Sequence, residues 1–206
     1  MNEHSFMYME VKMKQGRNKE AILESSLKLF CEKGFANTSI REIALDADVS
    51  QGNIYNYFST KEEIFENLFR EKFPGNFVEL FIDGVSHEKT LDENIKTALD
   101  NLVSYIHENP YFFKLLILDA NEFNGKYLKK YSQAFTKPVE NYFPNSKMLP
   151  GLRKDIDSTD LTRFFAWLFY ALGLTDIIYT CNAGKSITST PEYEILLKIL
   201  KKGLQE

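Results

Sequence analysis

The stretch TSIREIALDADVSQGNIYNYFSTK, residues 38–61, constrains this chain more than any other. Ile40, Ile43, Ala44 and Ala47 recur at three-to-four spacing, which predicts a helix over 39–47 with one apolar face. Asp48-Val49-Ser50 then breaks the pattern: aspartate tolerates the left-handed backbone of a tight turn, and serine is a good helix N-cap. A second short helix follows over 51–58, with Ile54 and Phe58 inward at i and i+4. Its other positions are Gln51, Gly52, Asn53, Tyr55, Asn56 and Tyr57, amides and phenols with no need of burial. A short helix held by its neighbour and presenting such groups has the geometry of a helix-turn-helix, whose second helix enters a major groove. Any two packed short helices imitate that pattern, so the flanks must decide.

The flanks agree. Ile22, Leu23, Ser26, Leu27 and Phe30 make a continuous stripe that predicts a helix over 19–33, ended by Gly34 in the C′ position, with Phe35 folding back as an apolar plug. Ser39 and Glu42 stand at capping-box spacing. After Phe58, Ser59 or Thr60 caps a further helix, Glu62 and Glu63 complement its dipole, and Ile64, Phe65, Leu68 and Phe69 give it a buried face before Pro74-Gly75 stop it. Residues 1–12, MNEHSFMYMEVK, show no period and read as a loose arm. Lys12, Lys14, Arg17 and Lys19 follow with no acid among residues 11–19, which suits a solvated terminus or an arm that neutralises phosphates.

Taken together, residues 17–70 resemble the DNA-binding domain of the TetR family of bacterial transcriptional regulators. The resemblance rests on Ile22-Leu23-x-x-Ser26-x-x-Leu29-Phe30, Gly34-Phe35, Thr38-Ser39-Ile40-Arg41-Glu42-Ile43-Ala44, Val49-Ser50-x-Gly52-x-Ile54-Tyr55-x-Tyr57-Phe58 and Lys61-Glu62. Four positions depart from the family's usual pattern: serines at 25 and 26 in place of alanine, Asp48 in place of glycine, and Tyr57 where histidine is frequent. The resemblance implies that Gln51, Gly52, Asn53, Tyr55 and Asn56 face the groove, where Gln and Asn can pair bidentately with an adenine edge. It implies a guanine or phosphate contact for Arg41, and phosphate contacts for Thr38, Ser39, Ser50, Tyr57 and Lys61. Partial burial against the first helix is the other reading of Tyr55. The acids Glu20, Glu24, Glu32 and Glu63 are then expected to lie away from DNA.

The rest of the chain reads as helical and of a different kind. A short apolar segment spans 76–85 with Gly84 ending it; helices are predicted over 92–107, 111–121, 125–142 with a kink at Pro138, 160–181 and 190–204. Residues 143–157, with Pro144, Pro150 and Gly151, read as a loop. The whole is all-α: a three-helix helix-turn-helix domain over 14–74 (helix-turn-helix about 39–58), joined by a linker helix to a helical domain over 75–206. The 160–181 helix is apolar on two faces, Leu161, Phe164, Phe165, Leu168 and Leu172 against Trp167, Tyr170, Leu174 and Ile177. Both faces need cover. The family resemblance supplies it as a homodimer through helices at about 159–181 and 191–204, with Gly173 allowing close approach across the bundle; a helix buried within a monomer would carry the same pattern. The resemblance also implies an effector cavity. Its candidate lining is Tyr105, Phe112, Phe113, Phe165 and Tyr170, with Asp119 and Asn121 as polar groups, though each aromatic fits simple core packing as well.

Composition excludes other classes. A net charge of −4 over 206 residues carries no general basic signature. Cys31 and Cys181 match no metal spacing, nor do His4, His87 and His107, so no metal or cofactor is expected. The N-terminus lacks a signal-peptide pattern, and the apolar run 161–179 is interrupted by Arg163 and Asp176, which predicts a cytoplasmic chain without a membrane span. No nucleophile, base and orienting group converge in the sequence, so an enzyme is not expected. The expectation is a ligand-responsive regulator, most simply a repressor. It would bind a palindromic double-stranded operator as a dimer and be released by a small apolar or aromatic effector. The alternative is a helical protein-interaction module without specific DNA binding.

Overall fold

The computed structural model describes residues 3–73, 77–132, 151–156, 158–179 and 190–205. Among them are ten helices and no strand: α1 Glu3–Lys33, α2 Ile40–Asp46, α3 Gln51–Tyr55, α4 Lys61–Lys72, α5 Phe77–Ile82, α6 Leu91–Glu108, α7 Pro110–Phe123, α8 Lys126–Tyr131, α9 Ser158–Tyr179 and α10 Pro191–Leu204. The chain divides into two compact units. One is Met1–Phe73 together with Lys114–Tyr127; the other is Pro74–Phe113 together with Leu128–Glu206. The division falls inside α7, which the sequence pattern alone assigns whole to the second unit.

In the first unit α1 packs on α2 and α4, and α2 on α3. Ile22, Phe30, Ile43, Ile54, Ile64, Phe65 and Phe69 are fully buried there, each burial stabilising by about 1.5–3 kcal/mol relative to exposure. An aromatic cluster extends this core: Phe35 lies 5.2 Å from Phe30 and 4.7 Å from Phe123, and Tyr127 lies 5.4 Å from Phe65. The Tyr127 hydroxyl donates to Glu62 Oε1 at 2.9 Å, and Lys126 reaches the same oxygen at 2.5 Å. The cation, then the phenol, hold the Glu62 carboxyl below its ordinary range. Residues 114–127 are thereby fastened to α4. One group in this core is unmatched: the buried Ser26 hydroxyl has no hydrogen-bond partner among the described residues.

The second unit is centred on α6, whose Leu91, Ile95, Leu99, Leu102, Val103 and Ile106 are buried at helical spacing against α5, α9 and α10. Thr90 and Glu93 form a capping box at its start. The Tyr193 hydroxyl of α10 hydrogen-bonds Asp100, while Lys201 approaches Asp92 at 3.3 Å. Leu152 bridges to Gln205, and Arg153 N–H donates to Leu204 O at 3.0 Å, tying residues 151–156 to the end of α10.

Several expectations change. Residues 3–12 belong to α1 rather than forming a loose arm; the stretch lacks proline and contains Glu, Met and Lys, all good helix formers. α3 ends at Tyr55, short of Phe58. Gly173 is used inside the second unit: a Cβ added there would stand 1.9 Å from Phe113 Cε1, so the glycine seats that ring rather than a partner helix. The kink expected at Pro138 and the α9 end expected at Cys181 lie outside the described residues.

Candidate nucleic-acid interface

The helix-turn-helix is built from local signals that its residues satisfy in space. Ser39 caps α2 with a full capping box: its N–H donates to Glu42 Oε2 at 2.9 Å, and Glu42 N–H donates to Ser39 Oγ at 3.2 Å. Lys33 adds a 2.8 Å ion pair to Glu42. With that lysine first and the serine N–H next, the Glu42 carboxyl is pulled down to about 2. Lys28 pairs with Asp46 at 2.7 Å and lowers its carboxyl likewise, so both acids of α2 are answered by α1. The turn uses Asp48 at φ 53°, the left-handed conformation anticipated for it, and Val49 N–H donates to Ala44 O at 2.9 Å.

Ser50 then caps α3, accepting from Asn53 N–H at 3.1 Å. Ile54 and Phe58 are buried beneath it, and Gln51, Gly52, Tyr55 and Asn56 are exposed above. Tyr55 is 56% exposed, which decides against burial on α1. Only the Ser50 hydroxyl lies within 4 Å of a Cβ placed at Gly52, so the glycine answers no internal crowding and leaves its backbone open to close approach. Arg41 is exposed on α2, and Tyr57 is half-buried. Asn53 is half-buried too, and its Oδ1 accepts from Asn18 Nδ2 at 3.3 Å. Asn18 carries no sequence signal; only the docking of α1 beside α3 reveals it.

Three of the side chains expected to meet phosphate make hydrogen bonds within the domain. Thr38 is 1% exposed, and its hydroxyl lies 2.9 Å from Gly34 O and 3.3 Å from Leu29 O, so its side chain is not available to a phosphate. The Ser39 hydroxyl is taken up by Glu42. Lys61 donates at 2.6 Å to both Phe35 O and Thr38 O and sits 4.3 Å from the centre of the Phe35 ring. Partial burial lowers its pKa. Two of its three N–H bonds thus fasten the α1–α2 loop to the start of α4.

The expected effector residues separate. Asp119 is fully buried in the first unit, where Oδ1 accepts from Tyr127 N–H at 3.1 Å and caps α8; Asn121 of that unit is exposed. In the second unit Phe112, Phe113, Tyr105 and Tyr170 surround Phe169, at ring separations of 6.0, 5.1, 5.6 and 5.5 Å. Burial pushes the Tyr105 phenol up to about 12. Phe112, Phe113 and Phe169 are fully buried core, while Tyr105 and Tyr170 are half-buried at its edge and Tyr105 also borders an open cleft of about 430 Å³. Phe165 instead stacks on Phe81, 5.0 Å apart, beside a cavity of about 40 Å³ also lined by Ile95, Ala98 and Leu152. Among the described residues that line it, Asn94 is the polar one, and its amide is engaged by Ser86 and Lys89. Among the described residues no group of His, Cys, Asp and Glu could hold a metal ion, and no helix is long and apolar enough to cross a membrane.

A capped helix presenting amides, a phenol and an open glycine over a buried base has the geometry of the second helix of a helix-turn-helix. Residues 22–68, the helix-turn-helix region, match the family model described as bacterial regulatory proteins, tetR family. The chain is 30% identical to the probable HTH-type transcriptional regulator YttP of Bacillus subtilis, over 59% of this chain and 63% of YttP. It is 29% identical to the HTH-type transcriptional repressor KstR2 of Rhodococcus jostii, over 75% of this chain and 78% of KstR2. The uncharacterized regulator YuxN of Bacillus subtilis is 30% identical, but the match spans only 37% of its length. The fold is shared with NalD of Pseudomonas aeruginosa, titled the secondary repressor of a multidrug efflux pump: TM-score 0.64 at 19% identity, covering 93% of this chain and 98% of NalD.

Proposed function

We propose that this chain is a ligand-responsive transcriptional repressor that binds a palindromic operator as a homodimer. The observation that carries the reading is the exposed face of α3, where Gln51, Tyr55 and Asn56 stand free above a fully buried Ile54, with Arg41 exposed on the preceding helix. Amides and guanidinium groups are the side chains that read base edges in a major groove. Relatives named as transcriptional regulators and repressors support the assignment over an enzyme or a general interaction module. A regulator of this kind works in the cytoplasm, on the chromosome.

The dimer would form through α9 and α10. Trp167 is 68% exposed, and Phe164, Ile195 and Ile199 are exposed on the same two helices. Two subunits are what two half-sites require. For the effector, the cavity beside Phe165 favours an apolar molecule, since its described lining is apolar apart from Asn94, whose amide is already engaged. At about 40 Å³ it is far below the roughly 300–1,000 Å³ of ligand pockets, so binding would have to part the surrounding side chains. An effector acts by preferring the parted state, in which the α3 helices no longer match the operator. The test is capture of genomic fragments by purified protein. Fragments sharing one sequence should be retained by the wild type and lost with Arg41→Ala or Tyr55→Ala at unchanged circular dichroism. Equal retention by all three proteins would refute the reading.

A further inference from the structure

We infer that Asn18 of α1 is a specificity-determining residue, which fixes the hydrogen-bonding sense in which Asn53 meets the DNA; this rests on the regulator reading above. Asn53 is held twice. Its backbone N–H donates to Ser50 Oγ at 3.1 Å at the start of α3, and its side-chain Oδ1 accepts from Asn18 Nδ2 at 3.3 Å. Beside Asn18, Lys19 lies 5.9 Å from the centre of the Phe58 ring, which keeps that turn of α1 against the end of the helix-turn-helix.

An unrestrained asparagine reads adenine with both edges, donating to N7 and accepting from N6. With Oδ1 turned toward Asn18, Asn53 presents chiefly the two hydrogens of Nδ2 outward. Guanine O6 and N7, thymine O4 or a phosphate oxygen can then accept from it, while adenine keeps its N7 contact but loses the one through N6. Gln51 and Asn56 are exposed and carry no such tether. The asparagine in the middle of α3 is therefore a donor, set by a residue on another helix.

The experiment selects bound sequences from random duplexes with wild-type protein, Asn18→Asp and Asn18→Ala, each checked for unchanged melting. A carboxylate at position 18 can only accept, so Asn53 must turn Nδ2 inward and present Oδ1. One position in each half-site should then change from guanine or thymine toward a base that donates, adenine through N6 or cytosine through N4. The Asn18→Ala protein should accept adenine there. A change of about tenfold in relative affinity at that position is expected from the worth of one base contact. Preferences at the other positions should persist. If the variants, folded like the wild type, select the same bases at every position, Asn18 only joins α1 to α3 and the inference is overturned. If the wild type enriches no sequence at all, the regulator reading and this inference fail together.

Discussion

Substituting Gly173 by alanine tests the packing of the second unit with a sign that propensity alone would get wrong. Gly173 lies inside α9. An exposed mid-helix Gly→Ala change stabilises by about 1 kcal/mol, because glycine loses more backbone freedom on folding. Here the new Cβ would stand 1.9 Å from Phe113 Cε1 and 2.3 Å from both Cδ1 and Cζ. These are ring atoms of a fully buried side chain 5.1 Å from Phe112 and 5.1 Å from Phe169, with no open side to move into. Overpacking of this kind costs roughly 1–3 kcal/mol, and expelling the ring would forfeit a further part of its burial. The net expectation is destabilisation by about 1–3 kcal/mol, read as a lower urea midpoint at unchanged slope. In a Phe113→Ala background the clash is gone, and the same substitution should become neutral or stabilising. A Gly173→Ala protein as stable as the wild type would refute the packing argument.

Other consequences are equally direct. Ser26→Ala should leave stability unchanged or raise it by up to about 1 kcal/mol in chemical denaturation, since the alanine removes an unmatched buried hydroxyl at little loss of volume. The Glu42 carboxyl should titrate near pH 2 by NMR. Because its folded pKa lies below the ordinary 4.5, the capping box contributes fully above that value and is lost as pH falls through about 2. A midpoint near 4.5 would show that the Lys33 and Ser39 contacts do not form in solution. Trp167→Glu places a charge on the exposed face of α9 and should halve the mass seen by light scattering while leaving helicity intact. Trp167 is the chain's only tryptophan, so its emission reports the same event in the wild type.

Local chemistry explains which features were legible beforehand. Ser39 with Glu42, Asp48, Ser50, Thr60 and Thr190-Pro191 each act within a few residues of themselves, and the structure uses all of them as caps or turns. What escaped depends on neighbours distant in sequence. Thr38 is as polar as any phosphate ligand, yet its hydroxyl serves Gly34 and Leu29. Lys61 hides the same way, its long stem letting the ammonium reach carbonyls 23 and 26 residues away. Asp119 reads from sequence as a polar group of the effector lining; the Asn124-Gly125 turn, both at positive φ, brings the start of α8 back onto it. Periodicity shows that α9 has two apolar faces, but only packing reveals that Gly173 belongs to the inner one.

Selection of bound fragments from random double-stranded DNA, at physiological salt, addresses the central claim most directly. The account predicts an inverted repeat whose half-sites lie one helical turn apart, roughly 34–36 Å, or a multiple of it, as two copies of α3 on a twofold dimer demand. Recovery of fragments with no shared sequence, or of a single unrepeated half-site, would contradict it.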